Sequence, residues 1–406
     1  MVVSVEELHS ALSKSGPPLF FPEPEVPAVY NFDQGLAAPE TFPREDLLRL
    51  GRRVLDRDGP EVLDYFDPKT GYEELVMGYR GLRRHIAQRI ERLQGRKIDP
   101  MGIILTSGSV QSISLAINGF VDRGDVVAVE GYSFPYALRY MEAAGADIRP
   151  LPIDLDGLDA DAVEALVLEL ERQGKRLKMV YTVPTFHCPT GTEMSVARRR
   201  KLVQLAQRHG FLILEDDVYS ELRFAGEKLP TLLSLDDSGL VIQCGSFSKN
   251  VAPGLRMGWM AGDPKAIAAL AGVRQDLGVS QWVGRIMAEF LNDGLLDPHL
   301  ERVNLVYKAK EEAASRTALE HFGSYARFTR PRGSFYLWVE IDERVDWARA
   351  SAMAAQEGIF FRPGERFMGR NTGPQFLRIA YSHVGIPVIE KGLARLGAIL
   401  HDCERN

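Results

Sequence analysis

The stretch GSFSKNVAPGLRMGW, residues 245–259, places one lysine, Lys249, between small hydroxylated residues and seven positions before an arginine. The run around this lysine is too apolar for an ordinary solvated surface. Ser246, Ser248 and Arg256 can offer two hydroxyl groups and one planar cation, a set suited to a phosphate group. A buried lysine loses its proton readily, and its neutral amine can condense with an aldehyde. The stretch therefore predicts a ligand that carries both a phosphate and an aldehyde.

Pyridoxal phosphate is a cofactor with both groups, and the residues around Lys249 indicate it. The alternative is a structural lysine in a surface loop. That alternative leaves the serines, the Pro-Gly turn and Arg256 without a common explanation, so we favour the cofactor.

Apolar strands alternate with helices along most of the chain. The runs GIIL, DVVAV, KMVYT and FLIL are separated by helical segments from about residue 71 onward. Strands separated by helices are typical of parallel sheets, so the sequence predicts an α/β fold. After about residue 295, a long charged helix and two strand-like runs predict a smaller α+β domain. We predict an N-terminal segment at 1–45, a large cofactor-binding domain at 46–295 and a small domain at 296–406.

Two helical segments carry local predictions. A short amphipathic helix is predicted at 5–14. A second helix is predicted to begin after Ser195 as its N-cap and to end at Gly210. Its basic run RRRK, residues 198–201, is expected to form a solvated face, with a nucleic-acid contact as the weaker alternative.

Composition and charge argue against a membrane protein or a nucleic-acid-binding protein. The chain has 406 residues, 45% of them hydrophobic, and a formal net charge of -6. The opening residues lack the pattern of a signal peptide, and no run approaches the ~20 apolar residues that span a bilayer. Cys188, Cys244 and Cys403 are odd in number and far apart, unlike a disulfide framework. We expect a cytoplasmic protein without a metal site, since His187 has no second ligand at metal spacing.

Two further candidate sites lie where parallel strands end, the edge at which open α/β sheets bind ligands. The strand IILT leads into Ser107, Gly108 and Ser109 at a helix start, where backbone amides can hold a phosphate. The strand FLILEDD delivers Asp216 and, three residues later, Tyr219. Each pattern alone is also typical of ordinary capping residues or of acidic strand ends.

The Lys249 stretch resembles the cofactor-lysine motif of the fold type I, aspartate-aminotransferase-like pyridoxal phosphate enzymes. The segment NFDQGLAAPETFP, residues 31–43, resembles the branch that holds α-aminoadipate aminotransferases and the aminotransferase-like domains of some bacterial regulators. The resemblance runs over nearly the whole chain. It implies a large domain with a mostly parallel seven-stranded sheet flanked by helices, a small α+β domain, and a homodimer with shared active sites.

The resemblance implies which residues hold the cofactor phosphate. They are Gly108, Ser109, Val110, Ser246, Ser248 and Arg256, with Ser109 and Val110 contributing backbone amides. The loop DYFDPKTG resembles the tyrosine loop that reaches the cofactor of the neighbouring subunit, which assigns that role to Tyr65. The loop has one extra residue before its glycine.

The resemblance also assigns the contacts of the cofactor ring. Phe134 aligns with the aromatic residue that stacks on the ring, and Tyr132 is the alternative. Asp216 would pair with the pyridine nitrogen and keep it protonated, so that the ring can withdraw electrons. Tyr219 would donate to the cofactor's phenolic oxygen. Cys188 stands where most of these enzymes have an asparagine that also donates to that oxygen, and a thiol is a weak donor.

Substrate contacts follow from the same resemblance. The segment LRIAYS resembles the one whose arginine binds the substrate carboxylate, which points to Arg378, and the N-terminal glycine segment places Gly35 at the substrate. Arg332 could face the pocket and favour an acidic substrate, although an exposed arginine is the simpler expectation.

We therefore predict a pyridoxal phosphate-dependent aminotransferase that acts on an α-amino acid through a Lys249 Schiff base. One alternative is a different pyridoxal phosphate reaction on the same fold: oxidative decarboxylation, elimination or side-chain replacement. A more distant alternative is an effector-sensing regulator domain. We disfavour it because such regulators carry a winged helix-turn-helix, and about 30 residues precede NFDQG.

Overall fold

The computed structural model describes residues 26–66, 71–367 and 375–405. The helix predicted at 5–14 lies outside these residues. The strands of the described residues are β1 Tyr30–Asn31, β2 Ile103–Thr106, β3 Val126–Glu130, β4 Asp147–Leu151, β5 Ile153–Asp154, β6 Gly157–Leu158, β7 Leu177–Thr182, β8 Leu212–Asp216, β9 Val241–Ser246, β10 Gly258–Ala261, β11 Ala326–Phe328, β12 Tyr336–Ile341, β13 Ile359–Phe360, β14 Arg362–Pro363 and β15 Gln375–Ala380.

The α-helices lie between these strands, as the alternating pattern predicts. They are α1 Arg44–Asp58, α2 Tyr72–Met77, α3 Arg80–Gln94, α4 Ser109–Phe120, α5 Pro135–Ala144, α6 Ala160–Arg172, α7 Val196–His209, α8 Leu232–Leu235, α9 Pro264–Gly272, α10 Gln281–Asn292, α11 Leu296–Phe322, α12 Trp347–Gln356 and α13 Ile386–Asp402.

A seven-stranded sheet forms the centre of the large domain, with the strand order β2-β10-β9-β8-β7-β3-β4. Only β10 runs antiparallel to its two neighbours, β2 and β9. Strands such as β3 are buried along their whole length, because helices cover both faces of a parallel sheet. The prediction of a mostly parallel seven-stranded sheet flanked by helices is confirmed.

Helix α7 begins and ends as predicted, but its basic run is not a solvated face throughout. The Ser195 hydroxyl accepts from the Arg198 amide, and Gly210 ends the helix with a positive φ of 72°. Arg199 is fully buried, and its guanidinium donates to the carbonyls of Met194 and Pro184 at 2.8 and 2.6 Å. The expectation of a solvated face is wrong for Arg199, because several loop carbonyls converge on this guanidinium.

The small domain is built on an antiparallel sheet with the order β11-β12-β15-β14. The long helix α11 packs against α13 beside this sheet. The N-terminal segment joins the same unit: β1 pairs in parallel with β13, and the Ala380 amide donates to the Phe32 carbonyl at 2.9 Å. The division of the chain at residues 45 and 295 remains a prediction.

Within the described residues, each helix is either too short or too polar to cross a membrane.

Candidate active site

A cavity of about 350 Å³ opens at the carboxyl edge of the large sheet, between the two domains. Eight residues predicted for the site line it: Gly35, Ser109, Phe134, Cys188, Asp216, Tyr219, Lys249 and Arg378. These residues lie as far apart in the sequence as positions 35 and 378, so the fold brings together most of the predicted set.

Lys249 follows β9 and extends its amine into the cavity, where Nζ donates to the Gly35 carbonyl at 2.8 Å. Loss of solvation lowers the pKa of this amine to about 8. The guanidinium groups of Arg378 and Arg256 act in the same direction, while Cys188 and Asp216 oppose it. The amine can therefore lose its proton close to neutral pH, as a Schiff-base lysine must.

Asp216 ends β8 on the same cavity. Its Oδ2 accepts from the Tyr181 hydroxyl at 2.9 Å, whereas its buried Oδ1 has no hydrogen-bond partner among the described residues. Burial raises the pKa of this carboxyl to about 7. A buried acceptor without a hydrogen-bond partner destabilises the folded protein, so a donor bound at Oδ1 would be stabilising. A protonated ring nitrogen of pyridoxal phosphate would fill that role.

The predicted phosphate residues meet because β10 lies between β2 and β9. Gly258 on β10 pairs with Thr106 of β2 on one side and with Ser246 of β9 on the other. The residues that follow Thr106 and Ser246 in the sequence are thus brought to the same edge of the sheet.

At that edge, Gly108 precedes α4 with a φ of 103°, a conformation that favours glycine. The Arg256 guanidinium lies beside it and donates to the Ser107 carbonyl. The first amides of α4, those of Ser109 and Val110, have no acceptor within the helix, as at any helix start. Donors and a cation therefore converge where a phosphate group would bind.

The two serines of the Lys249 stretch, Ser246 and Ser248, differ in their hydrogen bonding. Ser246 Oγ accepts from the Ser248 amide at 3.1 Å. The Ser248 hydroxyl is buried and has no hydrogen-bond partner among the described residues. Together with Asp216 Oδ1, it is a second polar atom that a bound cofactor would satisfy. The residues present fit pyridoxal phosphate.

Phe134, and not Tyr132, lines the cavity. The Tyr132 ring packs edge-on against Trp338 and Phe376 of the small domain, with centroid distances of 5.1 and 5.5 Å. Tyr132 is therefore held away from the cavity, which favours Phe134 as the ring that would stack on the cofactor.

Cys188 faces the predicted carboxylate-binding arginine. Cys188 Sγ lies 3.7 Å from Arg378 Nη1, and Arg378 Nη2 donates to the Asp33 carbonyl at 2.6 Å. Arg378 is buried, and its Nε has no hydrogen-bond partner among the described residues. The thiol thus lies beside the guanidinium as well as on the cavity predicted to hold the cofactor.

His187, the neighbour of Cys188, is a buried neutral imidazole. Burial lowers its pKa to about 3, and Nδ1 lies 2.9 Å from the Thr190 hydroxyl. No group of three potential metal ligands occurs in the part of the chain that the structure describes.

Sequence reasoning missed several residues of the cavity wall: Gln34, Tyr136, Tyr336 and Arg362. The Tyr336 hydroxyl lies 2.8 Å from the Tyr219 hydroxyl, and Arg362 forms a two-point ion pair with Asp33 at 2.8 and 2.7 Å. The sequence gives little indication that these residues reach the cavity, because Tyr336 and Arg362 belong to strands of the small domain without a distinctive motif.

Two candidates lie away from this cavity. Arg332 is largely exposed and forms an ion pair with Glu193 at 2.9 Å, which agrees with the prediction of an exposed arginine. Tyr65 is 67% exposed and lines a different hollow together with Leu63, Leu277 and Trp282. Its predicted contact with the cofactor of a neighbouring subunit stays a prediction.

Comparison with known proteins agrees with this geometry. The family model "Aminotransferase class I and II" matches residues 76–396. An aromatic-amino-acid aminotransferase of Thermococcus litoralis is 31% identical over 380 residues, 93% of this chain and 89% of that protein.

Two crystal structures share the fold over almost their full length. A multiple substrate aminotransferase from Thermococcus profundus has a TM-score of 0.91 and 30% identity, covering 98% of this chain and 99% of that one. An α-aminoadipate aminotransferase from Thermus thermophilus, complexed with N-(5'-phosphopyridoxyl)-L-leucine, has a TM-score of 0.85 and 28% identity, covering 99% of both chains. The family predicted from the Lys249 stretch is confirmed, and the chain belongs to the class I and II aminotransferases, pyridoxal phosphate-dependent transferases of fold type I.

Proposed function

We propose that this aminotransferase moves the amino group of an α-amino acid with Lys249 as its cofactor-binding and proton-transferring residue. The observation that carries the proposal is a shared cavity. It holds the Lys249 amine, the unpartnered Asp216 Oδ1 and the buried Arg378 guanidinium. When bound, pyridoxal phosphate supplies an electron-withdrawing ring that can store the charge left when the substrate Cα loses a proton.

Lys249 Nζ is the atom proposed to carry that proton. With a pKa of about 8, the amine is deprotonated in a substantial fraction of molecules near neutral pH and can act as a base, then as an acid. Its hydrogen bond to the Gly35 carbonyl, at 2.8 Å, orients the amine on the cavity wall.

Arg378 is proposed to bind the substrate carboxylate. A planar guanidinium binds a carboxylate at two points, and Arg378 is buried with an unpartnered Nε. It sits on β15 of the small domain, across the cavity from β8 and β9 of the large domain. A substrate held by Arg378 is therefore presented to Lys249 between the two domains.

The cavity wall supports substrates with an apolar or aromatic side chain. Its non-polar lining is large: Leu36, Phe134, Tyr136, Val183, Val218 and Tyr336. Besides Lys249 and Arg378, the cavity wall carries the cationic side chain of Arg362, whose charge is already compensated by an ion pair with the Asp33 carboxylate. An acidic side chain would have to compete with Asp33 for Arg362.

The test combines covalent mapping with a substrate panel. Borohydride reduction of the loaded protein and peptide mapping should place the pyridoxyl mass on Lys249, and a label on another lysine would overturn the assignment. Lys201→Ala serves as the matched surface control and should leave labelling unchanged. Single-turnover assays with aromatic, aliphatic and acidic amino acids should yield keto acids. Products of decarboxylation, elimination or side-chain replacement would instead favour the alternative reaction class.

We further propose a homodimer in which Tyr65 completes the phosphate site of the partner. The exposed side chains around Tyr65 support this proposal. Leu63, Leu277 and Trp282 form an apolar surface beside it, and Leu277 adopts a positive φ of 56°. Residues of this size are seldom exposed together on a monomer. Light scattering should detect a dimer at assay concentration, and an active monomer would contradict the proposal.

We propose that the protein resides in the cytoplasm, a reducing compartment, because its cysteines form no disulfide. Cys188, Cys244 and Cys403 are all buried free thiols. Labelling of thiols under denaturing conditions, with and without reductant, should count three in both samples of the freshly isolated protein.

A further inference from the structure

Two tyrosine hydroxyls form an isolated pair on the cavity wall. The hydroxyls of Tyr219 and Tyr336 lie 2.8 Å apart, and both rings are almost completely buried. Neither hydroxyl has another hydrogen-bond partner among the described residues. A phenol donates one proton, so one of the two protons lies in the bond between them and the other is available to the cavity.

The position of the Tyr336 hydroxyl is set by close packing. A Cβ atom on Gly35 would collide with this hydroxyl and with the ring edge that carries it. Gly35 therefore leaves the space that Tyr336 occupies, and the Tyr219 hydroxyl lies 2.8 Å from the Tyr336 hydroxyl. The N-terminal segment and β12 together fix the Tyr336 hydroxyl against Tyr219.

The charges around the pair determine which hydroxyl donates to the other. The Arg378 guanidinium lies 4.3 Å from the centroid of the Tyr336 ring, and a cation at this position withdraws electron density from the phenol. Arg378 also acts on Tyr219, whereas Arg362 adds to its effect on Tyr336, and Cys188 opposes the two arginines at both phenols. The Lys249 amine lies farther away, 6.0 Å from the centroid of the Tyr219 ring. Tyr336 is thus the better donor and Tyr219 the better acceptor.

We propose that Tyr336 is a positioning residue for Tyr219: its hydroxyl donates to the Tyr219 oxygen and thereby directs the Tyr219 proton at the cofactor's phenolic oxygen. The proposal rests on the proposed function, since it needs the cofactor bound at Lys249. A hydroxyl that accepts one hydrogen bond becomes a stronger donor in the next. The pair therefore strengthens donation at the place where Cys188, as a thiol, contributes little.

A spectroscopic titration tests this role. The visible absorbance of the cofactor-loaded enzyme follows a titration with pH. A hydrogen bond donated to the cofactor's phenolic oxygen lowers the pKa of this titration. We expect Tyr336→Phe to raise this pKa by roughly half a pK unit, and Tyr219→Phe to raise it more. Because Tyr336 acts through Tyr219, adding Tyr336→Phe to Tyr219→Phe should cause no further shift.

The same cycle gives the outcomes that overturn the proposal. An unchanged pKa in Tyr336→Phe, or an equal shift in both backgrounds, shows that Tyr336 does not act through Tyr219. Adding Cys188→Asn to Tyr336→Phe should return the pKa toward its original value, because an amide restores a donor to the site.

A second replacement keeps the test decisive if Tyr336→Phe does not fold. Incorporation of 3-fluorotyrosine at position 336 retains the hydroxyl and makes it more acidic, so the pKa should move down. A shift upward or no shift contradicts the proposal. Failure of the proposed function is distinguishable, because the unaltered protein would then show no borohydride label on Lys249. If Lys249 is labelled and the titration cycle fails, only the inference about Tyr336 is lost.

Discussion

The two walls of the cavity are built in different ways. On the large domain, Asp216 and Lys249 follow neighbouring parallel strands, β8 and β9, so the sheet itself holds them side by side. On the other wall, Arg378 of the small domain contacts the N-terminal segment through the Asp33 carbonyl. Proposed chemistry is thus concentrated on the wall that the sheet makes rigid, and proposed substrate recognition on the wall formed by two distant parts of the chain.

The N-terminal segment contacts residues on both walls. Lys249 donates to the Gly35 carbonyl and Arg378 to the Asp33 carbonyl. Substitutions on the first wall should therefore affect chemistry and cofactor attachment, and substitutions on the second should affect mainly substrate affinity.

Lys249→Ala is the largest expected effect and addresses the first wall. Turnover should fall by at least about 10³-fold, because one residue is proposed both to bond the cofactor and to move the proton. Stopped-flow measurement of keto acid formation checks the loss, and mass spectrometry under native conditions checks that cofactor is still bound without a covalent link. Turnover within tenfold of the unaltered protein would remove Lys249 from the mechanism.

Arg378→Lys is the corresponding change on the second wall. A lysine cannot bind a carboxylate at two points, so kcat/KM should fall about 10- to 100-fold. The loss should lie mostly in KM, while the cofactor spectrum and borohydride labelling stay unchanged. Arg332→Lys, at the exposed arginine outside the cavity, is the matched control. A lost cofactor spectrum in Arg378→Lys would show that the two walls are not separate in function.

The pH dependence of cofactor capture also probes the first wall. A neutral amine is required for capture, and the Lys249 pKa of about 8 lies below the usual value of a lysine. As pH rises from 6 to 8, the neutral fraction grows roughly 50-fold, so capture by the cofactor-free protein should accelerate by about that factor. Rapid-mixing absorbance at a series of pH values measures it. A rate that keeps rising steeply to pH 10 would indicate an unshifted lysine.

Cys188→Asn is the smallest expected effect and lies where the two walls meet. An amide donates more strongly than a thiol, so the pKa of the visible absorbance change should fall by a little under one pK unit, about 1 kcal/mol. Identical titration curves would mean that Cys188 interacts with Arg378 and not with the cofactor. Loss of a non-transamination product together with faster transamination would favour the alternative reaction class.

The first wall was largely predictable from the sequence because its residues lie in short motifs. GSFSKNVAPGLR places Lys249 within a dozen positions of Ser246, Ser248 and Arg256, which are proposed to bind the phosphate, and a continuous apolar run predicts the strand before Asp216. A parallel strand with both faces buried leaves few other interpretations. The alternation of apolar strands and helices predicted the α/β fold, the family resemblance implied seven strands, and Ser195 and Gly210 predicted the caps of α7.

The tertiary structure decided what depends on contacts between distant segments. It placed Phe134 and not Tyr132 on the cavity wall, and it added Tyr336 and Arg362 to that wall. It also buried Arg199, although the basic run around it predicts a solvated face. It also set Gly35 against Tyr336, a contact between residues about 300 positions apart. Such contacts depend on how the domains pack on each other, and packing of this kind leaves no periodic pattern in the chain. The periodicity of strands and helices, and the residues of a short motif, are by contrast visible within a short stretch of sequence.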